Sequence, residues 1–154
     1  IAYLAAGIGT TKGVDANLDA LSTEGNLSWH TDLARKVSAQ TGAAIVISGP
    51  IDIVADSHEA WAIRNGHPMM ANITGTGCMS AGVIGCCVGA DPQALLPSCV
   101  CAMSAMGICG ELAYEKLLSV DGGSGTYRVL LMDAMSKLDG TTLTHRSKAE
   151  RLRI

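Results

Sequence analysis

The segment that most restricts this chain is Asn72-Ile73-Thr74-Gly75-Thr76-Gly77-Cys78. Thr and Gly alternate in it, so successive amides can turn to one side with no side chains in the way. The residues that follow are small and apolar and read as a helix from Gly77 or Cys78 to about Val88. A helix N-terminus carries four unpaired amides and the positive end of the helix dipole. Bare backbone feeding such an end is a nest for a phosphate. A Gly-rich turn followed by a buried Cys is the other reading, and the motif alone leaves both open. Gly82, Gly85 and Gly89 fall three and four apart and mark one helix face for close packing. Cys78 is placed at that helix N-terminus. Such a group can accept the proton of an alcohol that attacks phosphorus.

The 154 residues allow one domain, or half of a larger one. Residues 1–6 read as the tail of a helix stopped by Gly7, and residues 7–25 as loop. Leu27, His30, Leu33, Ala34 and Val37 recur at helical spacing, which predicts an amphipathic helix over 26–40, ended by Gly42. Ala43–Ser48 is a continuous apolar run of strand length, and predicts a central strand buried on both faces. Ile51–Ala55 and Glu59–Arg64 predict two strands joined near Asp56-Ser57, and Asn65–Pro68 a loop. Asp91-Pro92 begins another helix running to about Leu118, with Pro97 as a kink or a later start. A turn over Asp121–Gly125, a helix over Tyr127–Leu138 and a final strand at Leu152–Ile154 complete the reading. The pattern is an α/β sheet with helices packed on it.

Apolar residues make up 48% of the chain and charged residues 16%, which excludes disorder. A net charge of −3 without a basic stripe argues against nucleic acid as a partner, as does an aromatic content of 3% with no Phe. No run of about 18 apolar residues lacks Pro or charge, so no membrane span is read. The six Cys form no Cys-x-x-Cys and are not interleaved with His for zinc. Cys86, Cys87, Cys99, Cys101 and Cys109 lie in apolar helical sequence and read as small core residues of a reducing compartment. Gly7-Ile8-Gly9-Thr10-Thr11-Lys12-Gly13 looks faintly like a nucleotide loop. It lacks the Gly-Lys-Ser/Thr ending of a Walker A and the preceding buried strand of a dinucleotide fold, so it reads as an ordinary turn. His58-Glu59 has no second His at 62, and His30, His67 and His145 read as loop, surface or core-edge residues.

Thr74-Gly75-Thr76-Gly77-Cys78 resembles the anion-hole motif of the hydroxyethylthiazole kinases, a family of the ribokinase-like superfamily. Other segments agree in order and spacing. Lys12-Gly13-Val14-Asp15 resembles a Gly-Val-Asp loop, and Val46-Ile47-Ser48-Gly49 a strand ending in Thr-Gly near ATP. Asp52–Asp56 resembles the segment that follows that strand. Asn65-Gly66-His67-Pro68-Met69-Met70 resembles the Asn-Gly-His approach to the anion hole. Gly123-Ser124-Gly125-Thr126-Tyr127 resembles a late Gly-Pro-Gly-Ser/Thr-Phe segment, with Ser124 replacing Pro.

The resemblance implies a ribokinase-like three-layer αβα sandwich, with residues 1–154 as the C-terminal, ATP-facing portion of a single kinase domain. Ile1 then falls within an Asn-Ala-Ser-Glu-Ile segment, and the upstream part of the pattern is absent from the chain. That part holds much of the thiazole site, an Arg contacting ATP and the Glu linked to magnesium, so no metal ligand is expected here. The implied activity is ATP- and Mg2+-dependent phosphorylation of the hydroxyl of 4-methyl-5-(2-hydroxyethyl)thiazole in thiamine salvage, by a cytoplasmic homotrimer with sites between subunits. Carried over position by position, Cys78 is the proton acceptor and Gly75 lies beside the thiazole alcohol. The turn Thr74-Gly75-Thr76-Gly77 and the Cys78 amide hold the transferring phosphoryl group, and Ser48 stands where the family has an ATP-contacting Thr. Two other readings stay open. One is a hydroxymethylpyrimidine or pyridoxal kinase of the same superfamily, and the other an inactive nucleotide-binding or oligomerisation fragment.

Overall fold

A computed structural model describes residues 22–153. The helix tail at 1–6, the Gly7–Gly13 turn, the Lys12–Asp15 segment and Ile154 lie outside the described residues. The described chain divides into two compact units, one of residues 22–62 with 150–153 and one of Ile63–Ala149.

The first unit opens with a short 3-10 turn, Glu24–Asn26, that runs into helix α1, Leu27–Thr41. Thr23 and Asn26 cap the entry, the Thr23 amide donating to Asn26 Oδ1 at 2.7 Å. Ala34 and Val37 are buried, as the helical spacing predicts, and so is His30. Gly42 ends the helix at φ 72°, its amide returning to Ser38 O at 2.7 Å. Only a residue without a Cβ takes that left-handed turn at no steric cost.

Three short strands follow: β1, Ile45–Ile47; β2, Asp52–Ala55; and β3, Ala60–Ile63. With β4, Ala149–Arg151, they form one sheet in the order β1-β2-β3-β4. β1 and β2 pair antiparallel, with Val46 opposite Val54. Asp56 turns β2 into β3, its Oδ1 accepting the amides of His58 and Glu59 at 2.7 and 2.8 Å. The amide of Arg64 donates to Lys148 O at 3.2 Å and that of Leu152 to Ala60 O at 2.8 Å, so β4 runs antiparallel to β3. The last strand therefore lies upstream of the predicted Leu152–Ile154.

β1 corrects the expectation of a central strand. Among the described residues it is the terminal strand of this sheet, and it is only half-buried, whereas all four residues of β2 are buried. Ile45 and Ile47 face the Ala34, Ile53, Ala55 and Ala60 core on one side. A continuous apolar run fits an edge strand backed by one helix as well as a central one, because apolarity alone does not count neighbours.

The second unit is helical. Pro68–Asn72 forms a 3-10 turn, followed by α2, Thr76–Ala90, and α3, Leu95–Leu117. Then come α4, Ser124–Lys137, and the short α5, Gly140–Arg146, which the sequence pattern did not predict. Asp139 caps α5 by accepting the Thr142 amide at 2.7 Å. α3 begins at Leu95, not at Asp91, and Pro97 sits in its first turn, where its missing N–H costs nothing. By length and composition alone α3 could cross a membrane. Its centre is instead buried without a break from Ala102 to Gly110, between α2 on one flank and α4 on the other.

Ile73, Met106, Cys109, Ala113, Leu117, Tyr127 and Leu131 make the core of this unit. Tyr127 is fully buried, and its hydroxyl donates to Gly110 O at 2.9 Å, tying α4 to α3. Burial pushes its phenol up to about 12. Tyr127→Phe is expected to cost about 1 kcal/mol, since one neutral hydrogen bond is lost while the ring still fills its place. The urea midpoint of the variant checks this.

Candidate functional site

The Thr-Gly run folds as the sequence predicts, at a helix N-terminus. Gly75 is the capping residue of α2, with φ 98° and ψ 4°. Thr76, Gly77 and Cys78 are the first three helical residues. The Met79 amide closes the first turn onto Gly75 O at 2.9 Å. The amides of Thr76, Gly77 and Cys78 precede that bond, and helix geometry leaves them open. Gly77 and Cys78 are exposed, and Gly75 and Thr76 half-buried. A Cβ placed on Gly75 or Gly77 would meet nothing within 4 Å among the described residues. The result is an open, amide-lined turn with a thiol at its rim.

The turn is held from both ends. Ile73, before it, is buried in the core of the second unit, and Met79, after it, packs against the same core. Upstream, His67 caps the 3-10 turn, its Nδ1 accepting the Met69 amide at 3.1 Å. Its ring stacks on Tyr114 of α3 at 3.6 Å and 19°. Asn65 is buried and fully engaged. Its Nδ2 donates to Glu111 Oε1 at 3.2 Å and to Arg146 O at 2.9 Å, and its Oδ1 accepts the Lys148 amide at 2.7 Å. Glu111 also accepts the Gly66 amide at 3.0 Å and pairs with Lys148 Nζ at 2.9 Å. Burial raises the Glu111 pKa, but the bonds from Lys148, Gly66 and Asn65 outweigh it and hold the carboxyl below its usual range. Glu111 and Tyr114 are not among the residues the sequence singles out. An acid within the apolar stretch of a long helix was the available signal.

The face of α2 corrects another expectation. None of its fifteen residues is buried, and a Cβ on Gly82, Gly85 or Gly89 would meet nothing within 4 Å. Among the described residues those glycines make no close contact, because α3 meets α2 elsewhere on its surface. The cysteines divide as well. Cys99 and Cys109 are buried, and burial pushes both thiols up, Cys109 to about 11. Cys87 and Cys101 are half-buried and Cys86 is exposed, so only part of the expected core set is core. All six are free thiols.

Ser48 lies in the first unit, exposed at the end of β1, while Thr74–Cys78 lies in the second. Among the described residues no three His, Cys, Asp or Glu side chains converge to hold a metal ion.

A family model described as the hydroxyethylthiazole kinase family matches residues 1–141. The chain belongs to this family. The hydroxyethylthiazole kinase of Desulfovibrio desulfuricans is 48% identical over all of this chain and 56% of its own length. That of Clostridium acetobutylicum is 41% identical over 97% of this chain and 55% of its own. The structure of a hydroxyethylthiazole kinase protein from Pyrococcus horikoshii covers 84% of this chain and 49% of that chain, with a TM-score of 0.71 at 22% identity. That similarity establishes the fold, the ribokinase-like α/β arrangement that the motifs implied. The chain spans about half the length of the curated relatives it matches.

Proposed function

We propose that this chain is the phosphate-binding portion of a hydroxyethylthiazole kinase, which transfers the γ-phosphoryl group of ATP to the hydroxyl of 4-methyl-5-(2-hydroxyethyl)thiazole. The observation that carries the reading is the open turn Gly75–Cys78, with its left-handed glycine and unpaired amides at a helix N-terminus. Phosphoryl transfer is mostly positioning and stabilisation of charge on the phosphoryl oxygens. Backbone donors fixed by Ile73 and Met79 supply that stabilisation without reorganising. In this reading the amides of Thr76, Gly77 and Cys78 hold the moving group, with Thr74 at the entrance and the bare α-carbon of Gly75 leaving room for the alcohol. Cys78 takes the alcohol's proton as the new O–P bond forms and the bond to ADP breaks. Ser48 contacts the nucleotide. ATP arrives with magnesium. By family membership the proposal extends to thiamine salvage, a cytoplasmic location and a homotrimer.

The test is Cys78→Ala in the full-length protein. General-base losses run to about 10²–10⁴-fold, but a loose transition state needs little early deprotonation of a primary alcohol. The expected loss in kcat is therefore about 10²-fold or less, with ATP affinity retained because the amides do not depend on the side chain. Steady-state kinetics with saturating thiazole alcohol decide it, and an unchanged kcat removes Cys78 from catalysis. Hydroxymethylpyrimidine and pyridoxal in the same assay separate the thiazole reading from its superfamily alternatives.

A further inference from the structure

The Ser48–Gly49 turn rests on a buried acid. Asp52, the first residue of β2, is buried at 8% exposure in a sheet whose neighbouring side chains are apolar. Its Oδ1 accepts the Gly49 amide at 2.9 Å. A second clamp comes from the other side, where the Ile51 amide donates to Ser22 O at 3.1 Å. A Cβ on Gly49 would lie 3.1 Å from the Ser22 amide nitrogen, so the turn is also confined sterically. A carboxylate is an expensive group to bury for a turn that Asn could hold as well.

We propose that Asp52 is the positioning residue of the nucleotide-side loop: its carboxylate fixes the Gly49 amide, and so sets the backbone from which Ser48 presents its hydroxyl. This rests on the reading of Ser48 as a nucleotide contact.

The charged groups around Asp52 are few. α1, packed on β2, carries His30, Asp32, Arg35 and Lys36, while β1 and β3 carry none. Burial pushes the Asp52 carboxyl up to about 7, and only the Gly49 amide draws it down. A raised folded-state pKa means that the folded protein holds this proton more tightly than the unfolded chain does. Its contribution to stability is then complete below the unfolded value of 3.8 and lost as pH rises through about 7. Asp52→Asn keeps an acceptor oxygen without the charge. It is expected to gain stability over the wild type as pH rises from about 4 to about 7, and to hold that gain unchanged above it.

The deciding experiment compares Asp52→Ala, Asp52→Asn and Ser48→Ala in the full-length protein. Loss of a buried acceptor is expected to raise the ATP KM of Asp52→Ala about five- to tenfold. Its kcat and thiazole KM should stay near wild type, and Asp52→Asn should recover most of the loss. Hydrogen exchange of the Gly49 amide reads the turn directly, without reference to activity, and should be faster in Asp52→Ala alone. Unchanged exchange at Gly49 in Asp52→Ala overturns the proposal. So does unchanged ATP KM in that variant while Ser48→Ala raises it. If Ser48→Ala leaves the ATP KM unchanged, the nucleotide role of Ser48 fails first, and the proposal falls with it even where the exchange result holds.

Discussion

If the turn serves as proposed, Gly75→Val is expected to lower the kcat of the full-length protein about 10²–10³-fold, the loss typical of removing a preorganised oxyanion donor. The cause is the backbone. Gly75 sits at φ 98° and ψ 4°, which a branched side chain does not adopt without strain. Among the described residues no atom is the obstacle, since a Cβ there would meet none within 4 Å. With Val the segment relaxes toward negative φ by rotating the adjoining peptides, and that turns amides of the nest away from the phosphoryl group. The added methyls also take the space left for the alcohol. Gly75→Ala should fall between the two, because it carries the φ penalty without the branch. The anchors Ile73 and Met79 lie outside the strained residue, so thermal unfolding should change far less than activity. The measurement is kcat at saturating ATP and thiazole alcohol, alongside a melting curve. A Val variant within a few-fold of wild type would exclude the nest as the catalytic anion site.

The features legible in the sequence are those set by local chemistry. Gly42 ends α1 because only Gly takes φ 72° freely, and Asp56 splits β2 from β3 by accepting two amides of its own turn. The alternation of Thr and Gly placed the start of α2 to within a residue or two. What stayed hidden depends on partners distant in the chain. The apolar run at 43–48 carries no record of which strands flank it, so its place at the end of the sheet could not be read. The glycines of α2 have helical spacing whether or not another helix approaches them. The support behind the nest joins Asn65 to Glu111, Arg146 and Lys148, residues about 46 to 83 positions apart, and no short motif encodes it. Asp52 was visible only as part of a resembling segment. Its role emerges from burial together with a single bond to Gly49.

That hidden support carries the other large effect, which is expected at Gly107 on α3. A Cβ there would lie 2.6 Å from the backbone carbon and oxygen of Asn65 and 2.7 Å from its Cβ. Backbone cannot swing aside as a side-chain tip does, so Gly107→Ala must separate α3 from the segment that precedes the nest. Overpacking costs about 1–3 kcal/mol in cores generally. Here it also strains the three hydrogen bonds of buried Asn65, which adds the cost of poorly satisfied polar groups. The variant is expected to lose about 3 kcal/mol, at the upper end of that range. Gly110→Ala, one helical turn on, is the matched control. Its Cβ would press on the Met70 thioether, and a Met side chain has rotamers with which to move away. The pair thus distinguishes a backbone clash from a side-chain one on the same helix. Urea unfolding should place Gly107→Ala well below Gly110→Ala. Under the proposed function its kcat in the full-length protein should also fall, since the displaced Asn65–His67 segment leads directly into the turn at Gly75. Equal midpoints for the two variants would mean that the approach to the nest is not held by this contact.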